Sequence, residues 1–450
     1  MYPKDETNPG PTPQPGWLPR FFKLHQHGTT VNREIIAGLT TFTTMSYIVV
    51  VNPAILKNAG IPPEPSMVAT VLASIFGCLL MAFYANRPFA IAPYMGENAF
   101  IAFTVCGALG YKWQTALAAI FIAGVIFIVL TLLRLRTWVV ESVPLCLRYS
   151  FAAGIGLFLS FIGLNQTGIV VLGVPGAPVH AGAMTSRPVL VAIFGFVLIA
   201  ILIIRKVHGA ILIGILVTAF LAYGTGVAPA PHSFFSVPPA ITPILMHMDL
   251  RGALTWGAFP IVLTIFIMAF VDTMGTLIGL SARAGFLDKN GNLPEIEKPM
   301  LVDALATTLA PVLGTTTSGV FVESATGIEA GGRTGLSTLI VAACFALSIF
   351  ASPFVAAIPP QAYGPALIVV GLFMLAPIRQ INFDDYSESV PAFAIVALTC
   401  FTFNIAIGIT AGFVLYPLCK LVAGKAREIR PGLWLLTALS LLFFVFYPYR

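Results

Sequence analysis

The chain has 450 residues, of which 58% are hydrophobic and only 9% are charged. Soluble globular proteins carry about 25% charged residues, so this composition excludes a water-soluble domain of this size and indicates that lipid is the main solvent. The net charge of +6 does not indicate nucleic-acid binding, because the basic residues are spread over the loops between apolar runs.

The first 32 residues are rich in proline and polar side chains, which predicts a soluble tail. They lack the short apolar stretch and small-residue cleavage site of a signal peptide. Long uncharged runs follow, and a helix that spans a bilayer needs ~20 such residues. Because these runs do not alternate between apolar and polar residues, they predict helices rather than the strands of a membrane barrel. The predicted helices are 34–56, 66–85, 111–133, 147–167, 188–204, 209–226, 253–281, 299–313, 334–352, 362–378, 389–405 and 407–420.

Two shorter apolar segments, near 92–107 and 317–331, are rich in Gly, Thr, Ser and Asn, and each contains glutamate. Residues 88–94 and 315–322 favour an extended conformation ahead of a short helix in each segment. The last apolar stretch, 431–447, either spans the membrane or lies at its interface. The predicted fold is therefore an all-α polytopic membrane protein of about 14 segments, with short strands and half-helices in segments 3 and 10.

Two pairs of similar sequence suggest an internal duplication. Residues 97–99 precede 323–325 by 226 positions, and residues 39–42 precede 263–266 by 224 positions. The near-equal offsets predict two repeats of seven segments, and an odd number per repeat inverts the second in the membrane. Short, Gly-interrupted segments at matching positions of two such halves indicate the binding site of a transporter.

The distribution of Lys and Arg predicts the orientation. If the N-terminus is cytoplasmic, 19 of the 24 basic residues fall on the cytoplasmic side. The other five are Lys57, Lys112, Arg187, Arg251 and Arg450. Because cytoplasmic loops carry the excess of Lys and Arg, we expect a multi-pass protein of the cell (inner or plasma) membrane with a cytoplasmic N-terminus.

Three acidic residues, Glu97, Asp272 and Glu323, lie deep within apolar sequence. Ionisable groups there are costly and mark functional sites by default, although a structural pair or a bond to broken backbone is the alternative. For Glu97 the neighbouring Asn98 is an equally good candidate. A buried carboxylate such as Asp272 can take up and release a proton during transport. The histidines and cysteines have no metal-ligand spacing, so no metal and no cofactor is expected besides a coupling proton.

Four stretches, 21–56, 92–105, 270–279 and 314–338, resemble the nucleobase–cation/ascorbate symporters, in their azaguanine-like branch of adenine, guanine and hypoxanthine permeases. The resemblance implies 14 segments in two inverted repeats of seven. It also implies proton symport by an elevator-like motion, no enzymatic activity, and a homodimer through the gate domain as an expectation.

The resemblance further implies a core domain that slides against a gate domain. The implied divisions are a cytoplasmic tail (1–32), core segments 1–4 (33–140), gate segments 5–7 (141–250), core segments 8–11 (251–358), and gate segments 12–14 with the C-terminal stretch (359–450).

Carried over residue by residue, Asn98 matches a substrate-contacting asparagine, and Glu323 matches a glutamate that hydrogen-bonds the base. Asp272 matches an acid linked to proton movement. The predicted substrate site comprises Glu97, Asn98, Ala99, Asp272, Val322, Glu323 and Ser324, with Asp272 and Glu323 as the proton-coupling residues. One position departs from the branch: Ala269 replaces the first acid of segment 8, so either Asp272 fills both roles or Glu97 compensates.

These observations favour a proton-coupled importer of a small-molecule nucleobase, with a purine (adenine, guanine, hypoxanthine or xanthine) as the leading substrate class. A permease for uracil or another heterocycle is one alternative. An anion transporter on the same fold, of the sulfate-permease kind, is another, and the acidic site argues against it. A channel would need a continuous polar lining, and an enzyme a nucleophile–base or metal constellation; the sequence indicates neither.

Overall fold

A computed structural model of the chain describes residues 16–133, 142–174, 177–231, 233–288 and 293–446. Several sequence predictions concern residues outside these ranges. They are most of the 1–32 tail, the 140/141 domain boundary, the end of the 431–447 stretch, and the charges of Lys4, Arg134, Arg136, Lys289 and Arg450.

Nine helical spans in the described part of the chain are long and apolar enough to cross a membrane. They are Val31–Ala59, Pro63–Ala85, Trp113–Leu132, Leu145–Gln166, Arg187–Ile204, Trp256–Ala284, Gly335–Ala357, Pro360–Gln380 and Ile405–Val422. Three shorter apolar helices accompany them, and these helices together coincide with most of the predicted segments. The total of 14 segments remains a prediction.

Up to residue 224 the predicted elements begin and end close to their expected bounds. The elements of this part are α1 (Trp17–Phe21), α2 (Val31–Met45), α3 (Ile48–Leu56), α4 (Pro63–Leu80), β1 (Ile91–Pro93), α5 (Met95–Ala99), α6 (Trp113–Leu132), α7 (Leu145–Gln166), β2 (Val170–Val174), β3 (Ala177–Ala181), α8 (Arg187–Ile204) and α9 (Ala210–Gly224). Of these, α1, β2 and β3 are additional to the predicted elements.

The later elements complete the fold. They are α10 (Leu250–Ala253), α11 (Phe259–Ala284), α12 (Glu297–Leu313), β4 (Ser318–Val320), α13 (Ser324–Glu329), α14 (Gly335–Ser348), α15 (Ser352–Ala357), α16 (Pro360–Leu375), α17 (Tyr386–Phe401), α18 (Ile405–Val422) and α19 (Pro431–Phe446).

The predicted helix 34–56 consists of two consecutive helices, α2 and α3, within one span. Ser46 and Tyr47, between them, keep right-handed helical dihedral angles, so the interruption is a loosened turn. Hydroxyl groups of the preceding turns donate to main-chain carbonyls, among them Thr43 to Leu39 at 2.7 Å. Such back-bonding by Ser and Thr competes with the helical pattern and loosens it.

The two odd segments have the predicted arrangement of a strand followed by a half-helix. β1 precedes α5, which continues as wide π-helical turns over Phe100–Ala108, and β4 precedes α13. The strands pair antiparallel, with Ile91 opposite Val320 and Pro93 opposite Ser318. Because the pairing is antiparallel, the half-helices leave the ladder at opposite ends.

A hairpin, in which β2 pairs antiparallel with β3, was not predicted. It begins three residues after the predicted helix 147–167, where we expected no strand. The signal is present in the sequence, because Val170, Val171 and Val174 are β-branched and favour a strand. The apolar run masked this signal, since a short apolar stretch fits a strand and a helix equally well.

The long helices pack in two groups. In one group α12 contacts α4 and α6, and α14 contacts α2 and α4. In the other, α7 contacts α16 and α17, and α8 contacts α9 and α16. The paired strands lie within the first group, where α4 and α12 pack against them.

Candidate substrate site

The paired strands are held by main-chain and side-chain bonds beyond their own ladder. The Tyr94 amide donates to the Thr317 carbonyl at 2.9 Å, and the Phe321 amide donates to Ala90 at 2.9 Å. The Ala90 amide also donates to the Ser324 hydroxyl oxygen at 2.9 Å. Ser324, a predicted substrate contact, is therefore a buried link between the start of α13 and the chain before β1.

Asn98 lies on α5 in a buried polar network. Its amide nitrogen donates to the Asn52 side-chain oxygen, and its own oxygen accepts from the Thr316 hydroxyl. The Asn52 amide in turn donates to Thr70 at 2.7 Å and to Thr315 at 3.0 Å. These bonds fix the orientation of Asn98, whose predicted contact with substrate is not tested by this geometry.

Glu97 is fully buried beside Asn98, and so is Ala99. Neither carboxyl oxygen of Glu97 has a hydrogen-bond partner among the described residues. The charged groups that act on it electrostatically are Asp272 and Asp303. Glu97 is thus the one member of the predicted site that is enclosed without a protein partner in the described part of the chain.

Asp303 was not identified from the sequence, although the structure places it between β4 and α11. Its carboxylate accepts from the Val320 amide at 2.9 Å, from the Tyr94 hydroxyl at 3.3 Å and from the Thr273 hydroxyl at 2.5 Å. The same argument that selected Asp272 applies to it, because it lies in the apolar stretch of α12. Its signal in the sequence is weaker than that of Asp272, because α12 begins with the charged residues Glu297 and Lys298.

Gly319, in the middle of β4, is required by this arrangement. A Cβ atom there would clash with the Tyr94 hydroxyl and with the Asp303 carboxylate. Any larger residue would separate the strand from Asp303 and break the bond to the Val320 amide. The Thr-Ser-Gly sequence therefore allows close approach of β4 to a buried carboxylate.

Asp272 is half-buried on α11, the helix that contacts α5, β4 and α13. The Oγ1 atom of its neighbour Thr273 lies 2.7 Å from the carbonyl oxygen of Ala269. Ala269, at the position of the missing acid, is 3% exposed and contributes only a methyl group. The helix thus contains a single acid and contacts both half-helices.

Glu323 is half-buried at the start of α13, and its carboxylate accepts from the Tyr47 hydroxyl at 2.7 Å. Tyr47 itself lies at the interruption between α2 and α3. Val322, the preceding residue, is 62% exposed, which leaves an apolar side chain beside the carboxylate. Tyr47 was not predicted, because nothing in the apolar run marked its hydroxyl group as a partner.

The structure therefore brings the predicted residues onto three adjoining elements, α5, α11 and α13, around the paired strands. The half-buried carboxylates of Asp272 and Glu323 can accept hydrogen bonds from N–H groups of a ligand. Among the described residues, no group of three or more His, Cys, Asp or Glu is arranged to hold a metal ion.

A profile of the Permease family matches residues 32–417. A putative permease of Methanocaldococcus jannaschii is 43% identical over 433 residues, covering 96% of this chain and 98% of the relative. The adenine permease AdeQ of Escherichia coli is 42% identical, covering 92% of this chain and 93% of the relative. The guanine/hypoxanthine permease PbuO of Bacillus subtilis is 41% identical, covering 94% and 99%.

Solved structures share the fold at low identity. The transmembrane domain of the cyanobacterial bicarbonate transporter BicA has a TM-score of 0.64 and 16% identity, covering 84% of this chain and 96% of that one. SLC26A9 has a TM-score of 0.62 and 12% identity, covering 90% of this chain and 67% of that one. These likenesses show a membrane-transporter fold. The chain is a multi-pass membrane protein that belongs to the Permease family, in the group of the adenine and guanine/hypoxanthine permeases, as its sequence motifs implied.

Proposed function

We propose that this protein imports a purine nucleobase by proton symport. The observation that carries the proposal is the pair of half-buried carboxylates, Asp272 and Glu323, on helices that adjoin the paired strands. Relatives about as long as this chain are adenine and guanine/hypoxanthine permeases, which supports the substrate class.

A purine is a flat heterocycle whose edge carries ring N–H groups and, in adenine and guanine, an exocyclic amine. Carboxylates accept such donors, and charge-assisted hydrogen bonds of this kind are about twice as strong as neutral ones. The exposed side chain of Val322 offers an apolar surface for the face of the ring. Asp272 serves as acceptor and as proton-coupling group, and Glu323 serves as the second acceptor and coupling group.

The finer architecture belongs to the same proposal: 14 segments in two inverted repeats, a cytoplasmic N-terminus, a homodimer, and an elevator-like movement of a core domain against a gate domain. The separate packing of α4, α6, α12 and α14 from α7, α8, α9 and α16 supports a division into two bodies. The carboxylates and the strands that adjoin them would then travel together with the core.

A second candidate is transport of an anion, because the solved structures with this fold include an anion transporter. Their identity of 16% or less supports the fold alone. A site with carboxylates repels anions, since like charges disfavour each other at close range. Uracil or another heterocycle with N–H donors remains compatible with the same acceptors.

The test is uptake of radiolabelled adenine, hypoxanthine, guanine, xanthine and uracil by cells that lack their own nucleobase transporters and express this chain. We expect uphill accumulation of a purine that a protonophore abolishes. Accumulation that persists with the protonophore and follows a sodium gradient would refute proton coupling. Uptake inhibited by sulfate or bicarbonate, with no response to purines, would refute the substrate class.

A further inference from the structure

Glu97 is a buried carboxyl group that the proposed binding of a purine by Asp272 and Glu323 does not use. It is 0% exposed, and both its oxygens lack a partner among the described residues. An ionised carboxylate in such a place is strongly disfavoured, and the group is neutralised instead. Neutralisation here requires either a proton or a cation.

The surroundings of Glu97 contain no compensating positive charge among the groups that act on it. Its half-helix α5 packs against α3, α7 and α11. From α3 the neighbouring amide Asn52 binds Asn98, and from α7 the side chain of Ile155 lies against Gly96. From α11 the acting charge is Asp272, and Asp303 acts from α12. Both charges are negative.

The neighbouring Asp303 differs from Glu97 in its partners. Its carboxylate accepts from one main-chain amide and two hydroxyl groups, those of Tyr94 and Thr273. Acceptance of several donors is what an ionised carboxylate requires, because only the ionised group is a pure acceptor. A fixed negative charge at Asp303 therefore favours retention of a proton on its acidic neighbours.

The described residues offer no cluster of carboxylates that could hold a metal ion, which leaves a proton as the simpler occupant. We propose that Glu97 is a second proton-binding residue of this transporter, and that Glu97 and Asp272 share one proton. This inference rests on the proposed function and assigns the step that couples substrate to proton.

The coupling follows from the different exposure of the two groups. Asp272 is half-buried and is the proposed contact with substrate, whereas Glu97 is 0% exposed. N–H donors of a bound purine stabilise the ionised form of Asp272, so the shared proton resides on Glu97. Binding takes this proton from the medium: an O–H bond forms at Glu97, and the net charge of the pair changes from −2 to −1. Release of the base reverses the step and returns the proton to the medium. Proton and substrate are then held together and move together, although Ala269 supplies no acid.

Glu97→Gln in proteoliposomes is the central test, because glutamine resembles the protonated acid and cannot release a proton. We expect uphill accumulation of adenine, driven by an acidic exterior, to fall to the downhill level. Exchange of internal for external adenine at equal pH should continue at a reduced but measurable rate. Glu97→Asp should restore part of the uphill accumulation. Glu64→Gln, an exposed acid in the first turn of α4, is the matched control and should behave as the wild type.

Binding supplies a second readout. If one proton is taken up with the base, the wild-type affinity for adenine should change by up to about tenfold per pH unit, and by less than about threefold in Glu97→Gln. An unchanged pH dependence in the variant, or uphill accumulation equal to that of the wild type, would overturn the proposal.

A third readout needs no substrate, so it separates this inference from the proposed function. Infrared spectra of the substrate-free protein at acidic pH should contain a protonated-carboxyl band that is lost in Glu97→Gln and shifted in Glu97→Asp. An identical band in wild type and Glu97→Asp would overturn the inference, even if Glu97→Gln proved too unstable to exchange adenine. Absence of purine exchange by the wild type would instead refute the proposed function, and the infrared comparison would still decide the role of Glu97.

Discussion

The two strand and half-helix units of this protein have the same order of elements, but their acidic residues differ in burial. In the first, β1 and α5, nearly every residue is buried, and Asn98 is bonded to Asn52 and Thr316. In the second, β4 and α13, Val322 is 62% exposed and Glu323 is half-buried. The acid of the first unit is therefore fully buried, whereas the acid of the second unit is partly exposed.

This difference indicates that the two units have different functions. A fixed amide and an enclosed acid can position elements and hold a proton, but they have little access to a ligand in this conformation. A partly exposed acid beside an exposed apolar side chain has better access to a ligand than an enclosed acid. Asp272 lies on α11, which contacts both units, so the protonation of Asp272 can depend on both.

The largest expected effect therefore belongs to Asp272. In Asp272→Asn the shared acid is replaced by an amide of similar size, so we expect complete loss of uphill purine uptake. The measurement is accumulation of radiolabelled purine in transporter-deficient cells, with and without a protonophore. Asp384→Asn, an exposed acid, is the control and should accumulate normally. Unchanged accumulation against a gradient in Asp272→Asn would mean that neither unit couples to protons through α11.

The next prediction concerns Glu323, because this acid is half-buried whereas Glu97 is enclosed. Glu323→Gln removes a charged acceptor, and hydrogen bonds to charged groups contribute ~1.5–3 kcal/mol, or about 10- to 150-fold in affinity. Tyr47→Phe removes only the hydroxyl that orients Glu323, so we expect less than about tenfold. Equilibrium binding of the transported purine at fixed pH measures both. An equal loss in the two variants would show that Tyr47 is itself a ligand.

Substitution of Asp303 tests whether its hydrogen bonds to Tyr94 and Val320 stabilise the packing of the first unit against β4. Asp303→Asn places an amide among three donors, those of Val320, Tyr94 and Thr273, and mispairing of buried polar groups costs ~1–3 kcal/mol. We expect a lower midpoint of thermal unfolding in detergent and a smaller effect on substrate affinity than that of Glu323→Gln. A normal midpoint with lost transport would instead place Asp303 in the transport chemistry.

The sequence predicted the helices, both half-helices and the acids of segments 3, 8 and 10, because each depends on a local signal. Apolar runs of sufficient length predict spans, and an acid within such a run is conspicuous. The partners of those acids depend on contacts between distant positions: Tyr47 and Glu323 are 276 residues apart, and Thr316 and Asn98 are 218 apart. No pattern within one segment identifies such a pair. Asp303 was detectable by the rule that found Asp272, and only its position near a charged helix start concealed it.

The smallest expected effect concerns His27 in the N-terminal segment, which lies near Phe286 and the chain that precedes β1. The Arg87 guanidinium lies 4.8 Å from the centre of the Phe286 ring and donates to the Pro294 carbonyl at 3.0 Å. The rings of His27 and Phe89 each lie 6.3 Å from that of Phe286. Burial lowers the pKa of His27 below its ordinary value of 6.5, and the positive charges of Arg87 and Lys23 lower the pKa further.

The sign of the pH effect follows from that lowered pKa. As pH falls below about 6.5, the unfolded chain takes up a proton at His27 before the folded protein does, so stability decreases. We expect the unfolding midpoint of the wild type to fall more between pH 7.5 and 5.5 than that of His27→Gln. The difference should stay below about 2 °C, since ~1 kcal/mol shifts the midpoint of a 150–250-residue domain by only ~2–4 °C and this chain is longer. His208→Gln, an exposed histidine, is the control. A larger acid sensitivity in His27→Gln would mean that protonated His27 stabilises the contact between the N-terminal segment and Phe286. This contact would then weaken as pH rises.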